Sequence, residues 1–164
     1  MATGNTLVQF MASDMEYPTA GFPALNTRNT HRILQFDATT VESGFFSSVL
    51  PRHYGGGGVT AYVHYAMTSA TANRVVWGLA FERIGDGQQD LDTDGFAAEQ
   101  IASGTVPGTA GHVDILPAVF TDGAQVDSIA VGEMFRIYIK RMANHSHDDS
   151  TGDAELIGLE LKET

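Results

Sequence analysis

Apolar and polar positions alternate with a period of two along most of this chain. Val59, Ala61, Val63, Tyr65 and Met67 are apolar, with Thr60, Tyr62, His64 and Ala66 between them. Successive side chains of a strand point to opposite faces, so this segment predicts a strand that buries one side. Phe135, Ile137 and Ile139 alternate with Arg136, Tyr138 and Lys140 in the same way, and Ile157, Leu159 and Leu161 alternate with Gly158, Glu160 and Lys162. Val113, Ile115 and Val119 alternate around Pro117. A proline cannot donate to a ladder, so that segment predicts an edge strand or a bulge. Val75–Ile84 (VVWGLAFERI) is apolar on both faces, which predicts a central strand covered on both sides, the second by a neighbouring subunit.

Thr6–Phe10, Arg32–Phe36, Phe45–Leu50 and Ala97–Thr105 are further strand candidates. The total is about nine strands, with turn signals at sandwich spacing. Asp14–Pro23 predicts an extended arm, Gly55–Gly58 a flexible hairpin connection, Gly85–Gly95 an acidic loop, and Asn144–Asp153 a solvated, flexible loop between the last two strands. Phe96–Ile101 and Ala124–Ala130 are the places where a helical turn is expected. The expected architecture is all-β: a single-domain antiparallel β-sandwich of the jelly-roll kind, with an N-terminal strand and extended arm over residues 1–30 and the sandwich over residues 31–164.

Composition narrows the partners. The 164 residues carry 20 acidic and 9 basic side chains, a formal net charge of −11, which repels a polyanion such as nucleic acid. There is no cysteine, so disulfides, thiolate metal sites and a thiol nucleophile are excluded. The N-terminus has no basic region before an apolar run, and no stretch reaches the roughly 18 apolar residues that span a bilayer. The expectation is synthesis in a cytoplasm, with no membrane partner.

Candidate chemistry is sparse. Asp90, Asp92 and Asp94 followed by Gly95 open a calcium loop, but its closing position is Ile101, and Glu99 falls two residues short. The alternative is an acidic loop whose aspartates cap turns. His145, His147, Asp148 and Asp149 form a second cluster, set among Ser, Asn and Gly as in a solvated loop. His53, His64 and His112 are scattered. There is no Gly-x-Ser-x-Gly elbow, and Gly55–Gly58 lacks the Lys and Ser/Thr of a phosphate loop. Tyr54, Tyr62, Tyr65, Trp77 and Tyr138 are candidates for a sugar-stacking face. Strand aromatics ordinarily pack in cores, which is the reading for Trp77 and Tyr65, while Tyr54 and Tyr62 stay open. No catalytic, cofactor or metal residues are assigned, and the chain is not read as an enzyme.

The segments LQFDATTVESGFFSSVLPRHYGGGGVT, VVWGLAFERI, DLDTDGFAAEQ, VDSIAVGEMFRIYIKR and TGDAELIGLELKET, in that order, resemble small β-sandwich virion proteins and modules of tailed bacteriophages. The resemblance covers residues 30–164. It rests on Phe36, Asp37 and Thr40, on Leu50, Pro51 and Tyr54, and on Gly152, Asp153, Ala154, Glu155 and Leu156. It implies a virion location and a capsid decoration (cement) protein bound to the major capsid protein; taken with the apolar second face of Val75–Ile84, self-association as a homotrimer is expected. The alternative it implies is a tail- or head-fibre module recognising host surface glycan.

Overall fold

The computed structural model describes residues 4–69, 72–87 and 89–164. Residues 1–3 of the expected arm and Gln88 of the acidic loop lie outside the described residues. Ten strands occur among those described: β1 (Thr6–Met11), β2 (Ala24–Arg28), β3 (His31–Phe36), β4 (Glu42–Val49), β5 (Val59–Met67), β6 (Arg74–Ile84), β7 (Gln100–Thr105), β8 (Asp114–Phe120), β9 (Met134–Arg141) and β10 (Ala154–Glu163). Sheet A runs β2-β3-β10-β5-β8, with β1 also paired to β10, and sheet B runs β4-β9-β6-β7. All pairings are antiparallel. The protein is an antiparallel jelly-roll β-sandwich.

The inner faces meet over one core. Trp77 packs edge-on against Phe36 and Tyr65, and Phe81 against Phe120 and Phe135. The alternating residues of β5 and β9 enter this core as their period predicts: Val63, Tyr65, Phe135, Ile137 and Ile139 are fully buried. β10 departs from the prediction. Its register against β5 shifts between Leu156 and Gly158, so Leu156 joins Leu159 and Leu161 inside while Ile157 lines the outer face. A β-bulge adds one residue and so reverses the side-chain phase.

β6 lies between β9 and β7, central as expected. Its second apolar face needs no neighbouring subunit, because Val76 and Ala80 are buried by this chain alone. The chain's own loops do the covering. The Val76 amide donates to Asp148 Oδ2, and the Ala97 amide donates to the Phe81 carbonyl. A Cβ on Gly78 would sit 2.6 Å from a carboxylate oxygen of Glu99, which explains the glycine. Above β9, Phe96 stacks on Phe45 and meets Tyr138 edge-on, with Arg136 over both phenylalanines.

Other expectations need correction. Gly55–Gly58 does not close a hairpin: it links β4 of sheet B to β5 of sheet A, and the Gly55 amide donates to Glu163 Oε1. Gly58, at φ +97°, lies so near the Phe120 carbonyl that a Cβ would approach it to 2.7 Å. Residues 96–99 are irregular and residues 100–101 open β7, so no helical turn forms there, whereas Ala124–Val126 forms a single 3-10 turn. The N-terminal segment joins the sheet: β1 pairs with β10, β2 pairs with β3, and Asp14–Pro23 between them is mostly irregular. The loop 144–153 is anchored rather than loose, because Asp148 is buried against Arg141.

Candidate functional site

The outer face of sheet A carries the open surface of the molecule. On β5 the outward side chains are Thr60, Tyr62, His64 and Ala66, opposite Lys162, Glu160, Gly158 and Glu155 on β10, and, for the first three, opposite Val119, Pro117 and Ile115 on β8. From Thr60 to Ala66 this row spans roughly 20 Å at the usual strand rise. Cavities follow it. One is lined by Thr60, Tyr62, Lys162, Glu163 and Thr164, and the next by Thr6, Tyr62, His64, Ile115, Glu160 and Lys162. A third, of about 280 Å³, lies beside Ala66. Together they make a shallow trough with β5 as its floor.

Tyr62 is the aromatic of this trough and is half-buried. The Lys162 ammonium lies 6.0 Å from its ring centroid. Glu160 accepts from the Thr6 hydroxyl, and His64 Nε2 stands 3.8 Å from its second carboxylate oxygen. A ring face flanked by hydroxyl, carboxylate, imidazole and ammonium groups suits a ligand that is flat, polar at its edges and apolar on its faces.

The third cavity differs in kind. Its apolar lining comes from Ile33, Ala66, Val113 and Ile157. The Arg28 guanidinium donates to Glu155 Oε2 at 2.6 Å and to the Met67 carbonyl at 3.1 Å. The Glu155 side chain is only 7% exposed, against 39% for Arg28. The β2–β3 hairpin sets this geometry: Asn29 and Thr30 both take positive φ (45° and 67°), as a two-residue I′ turn requires. That turn brings Arg28 opposite His31. Gly111, at φ +79°, leaves room for the guanidinium, since a Cβ there would lie 2.8 Å from Arg28 Nη2.

A second region lies at the sheet's end. Tyr17 and Phe22, both more than 40% exposed, meet edge-on with ring centroids 5.2 Å apart. Beside them Phe22, Gln35, Asp37, Glu42 and Asp153 line a cavity. Glu42 is pushed up from the ordinary carboxylate value, first by burial and then by the charges of Asp37 and Asp153. Asp37 is held down, from 3.8 to about 2, by the Thr39 hydroxyl and amide and the Thr40 amide. An acid whose folded value is depressed adds stability above its unfolded value and loses it as pH falls through the folded one. The Asp37 contribution is therefore present above pH 3.8 and lost between 3.8 and about 2. A carboxyl NMR titration should find the Asp37 midpoint near 2, and Asp37→Asn should flatten the stability profile in that window. An ordinary midpoint near 4 would refute the assignment.

The sequence candidates separate clearly. Tyr54 is buried: its hydroxyl donates to Asp122 and accepts from the Gly58 amide, and burial, then the bond to Asp122, push it up to about 12. Tyr65 and Trp77 are core, and the Tyr138 hydroxyl is tied to Glu99. Tyr62 and His64 are brought together on the trough. The Asp90 loop closes on itself, with Asp90 Oδ1 accepting from the Asp92 amide and the Asp90 carbonyl from the Thr93 and Asp94 amides. His145 and His147 stack edge-on, and the His147 amide donates to His145 Nδ1. Among the described residues no group of three or more His, Asp or Glu is placed to hold a metal ion, and no helix is long and apolar enough to cross a membrane. Arg28 and the Tyr17–Phe22 pair were not singled out from sequence, and Glu155 enters there only through the phage resemblance. Two of the residues that carry the phage resemblance serve as structural anchors, Asp37 capping a turn and Asp153 accepting from Gln35 and the Ala38 amide.

Neither a protein-family model nor a curated protein matches the chain. Solved structures do. The module CsCBM6-3 from Clostridium stercorarium, solved with cellobiose, superposes with a TM-score of 0.57 at 9% identity, over 99% of this chain and 98% of its own. The CBM22-2 xylan-binding domain of Paenibacillus barcinonensis Xyn10C gives 0.56 at 15% identity, over 96% and 99%. The CBM36-1 domain of a multidomain xylanase from the hindgut metagenome of Trinervitermes trinervoides gives 0.51 at 8% identity, over 96% and 97%. At these identities the likeness establishes a shared jelly-roll β-sandwich fold.

Proposed function

We propose that this chain is a carbohydrate-binding module that seats a linear, uncharged polysaccharide along the trough on sheet A. The observation that carries this reading is the row Thr60, Tyr62, His64 and Ala66, with its half-buried aromatic and its flanking polar groups. The similarity of nearly the whole chain to carbohydrate-binding modules supports it. Nothing among those similar structures supports capsid decoration. On a phage particle, as the sequence resemblance implies, such a module would be a fibre element that engages host surface glycan. The role is binding without bond cleavage: Glu155 is ion-paired with Arg28, and Glu160 is engaged by Thr6 and His64.

Calorimetric titration against a panel of β-linked oligosaccharides tests the reading. Tyr62→Ala should weaken binding about tenfold, through loss of about 1.4 kcal/mol of ring contact. Tyr17→Ala and Phe22→Ala should leave affinity unchanged. The reverse pattern would move the site to the loop pair, and no binding to any member of the panel would overturn the proposal.

A further inference from the structure

We infer that the cavity beside Ala66 is a selectivity subsite for the acetamido group of an N-acetylhexosamine residue. This rests on the glycan-binding reading above and deepens it. At about 280 Å³ the cavity has room for one substituted ring rather than for a length of chain. Its apolar surface is branched and aliphatic, from Ile33, Ala66, Val113 and Ile157, so it offers no aromatic face for a ring to stack on. An unsubstituted hexose would set hydroxyls against that surface without partners, which is costly. An acetamido group fits all three features of the site. Its methyl meets the aliphatic floor. Its N–H meets Glu155, whose Oε2 is held by Arg28 and whose Oε1 makes no hydrogen bond among the described residues. Its carbonyl meets Arg28, which uses Nη1 for Glu155 and the Met67 carbonyl and has no hydrogen bond from Nε or Nη2 among the described residues.

Charge separates the acetylated sugar from the free amine. Arg28 already neutralises Glu155. An ammonium placed between them gains little from the carboxylate and is repelled by the guanidinium. A carboxylate ligand would face the buried Glu155 side chain and is disfavoured on the same ground.

The test compares three hexasaccharides on one β-1,4-linked backbone: cellohexaose, hexa-N-acetylchitohexaose and its deacetylated form. The acetylated chain should bind at least tenfold more tightly than either of the others. Its addition should shift the methyl resonances of Ile33, Ala66 and Val113, while cellohexaose leaves them in place. Ala66→Leu, which fills the floor, should bring the acetylated chain and cellohexaose to within about twofold of each other. Val113→Ser, at an exposed rim position, supplies the same readout if the first variant does not fold. Equal or tighter binding of cellohexaose by the unaltered protein would overturn the acetamido assignment and leave the glycan reading standing. Binding of none of the three, nor of any panel glycan, would overturn both.

Discussion

Asp148→Ala is expected to destabilise this protein by about 3–5 kcal/mol, because it leaves the Arg141 guanidinium buried without a counter-charge. Both side chains of this pair are fully buried. Arg141 donates from Nε and Nη2 to the two Asp148 oxygens and also to the carbonyls of Ser150 and Gly152. Asp148 additionally accepts from the Val76 amide. The loop before β10 is thus fastened to the ends of β9 and β6 by a single buried network. At this chain length the loss corresponds to a fall in Tm of about 6–20 °C. Urea unfolding followed by the single tryptophan, Trp77, measures it directly. Arg141→Met with Asp148→Leu should cost less than Asp148→Ala, since no charge is stranded, though the two carbonyls and the Val76 amide lose their partner. A loss below about 1 kcal/mol for Asp148→Ala would show that water reaches the guanidinium and that the pair is not sequestered.

That network also marks where the sequence stops being informative. The period-two strands are legible because one-sided burial is a local property: β5 and β9 place their residues as the alternation says. Arg141 continues the inward row of Phe135, Ile137 and Ile139, yet its type suggests an outward position. Its partner lies in a stretch of Asn, His, Ser and Asp whose composition reads as solvated loop. Only the fold shows that the loop turns back over the end of the sheet. The bulge in β10 is similar. It reverses the phase of Ile157, with Gly158 beside it as the one local mark in the sequence, and so gives the outer face an aliphatic residue that simple alternation sends to the core.

The candidate site was legible in the same uneven way. Tyr62 lies on the polar side of an amphipathic strand, so its outward direction follows from alternation, and Glu160 and Lys162 share the trough for the same reason. Arg28 and Glu155 are 127 positions apart and meet only because β3 and β10 are neighbours in the sheet. Strand order is set by long-range pairing, which a one-dimensional pattern does not encode. The apolar second face of β6 misled for a related reason. Two-sided hydrophobicity says that a strand is covered, but not by what, and here residues of the same chain provide the cover.

Trp77 offers the second large effect and a finer discrimination. It is fully buried between Phe36 and Tyr65, so Trp77→Ala should cost about 3–5 kcal/mol as an unfilled cavity at the centre of the sandwich. Its indole Nε1, however, is buried with no hydrogen-bond partner among the described residues. A stranded donor costs about 1–3 kcal/mol in the native protein. Trp77→Phe removes that donor and keeps most of the ring contact with Phe36 and Tyr65, so relief of the stranded N–H offsets part of the lost volume. The phenylalanine variant should therefore lose less than half of what the alanine variant loses, with circular dichroism replacing fluorescence as the probe. A phenylalanine loss of more than half the alanine loss would show that the indole N–H is satisfied in solution, by a water held in the core, so that Trp77→Phe breaks a hydrogen bond as well as losing ring volume.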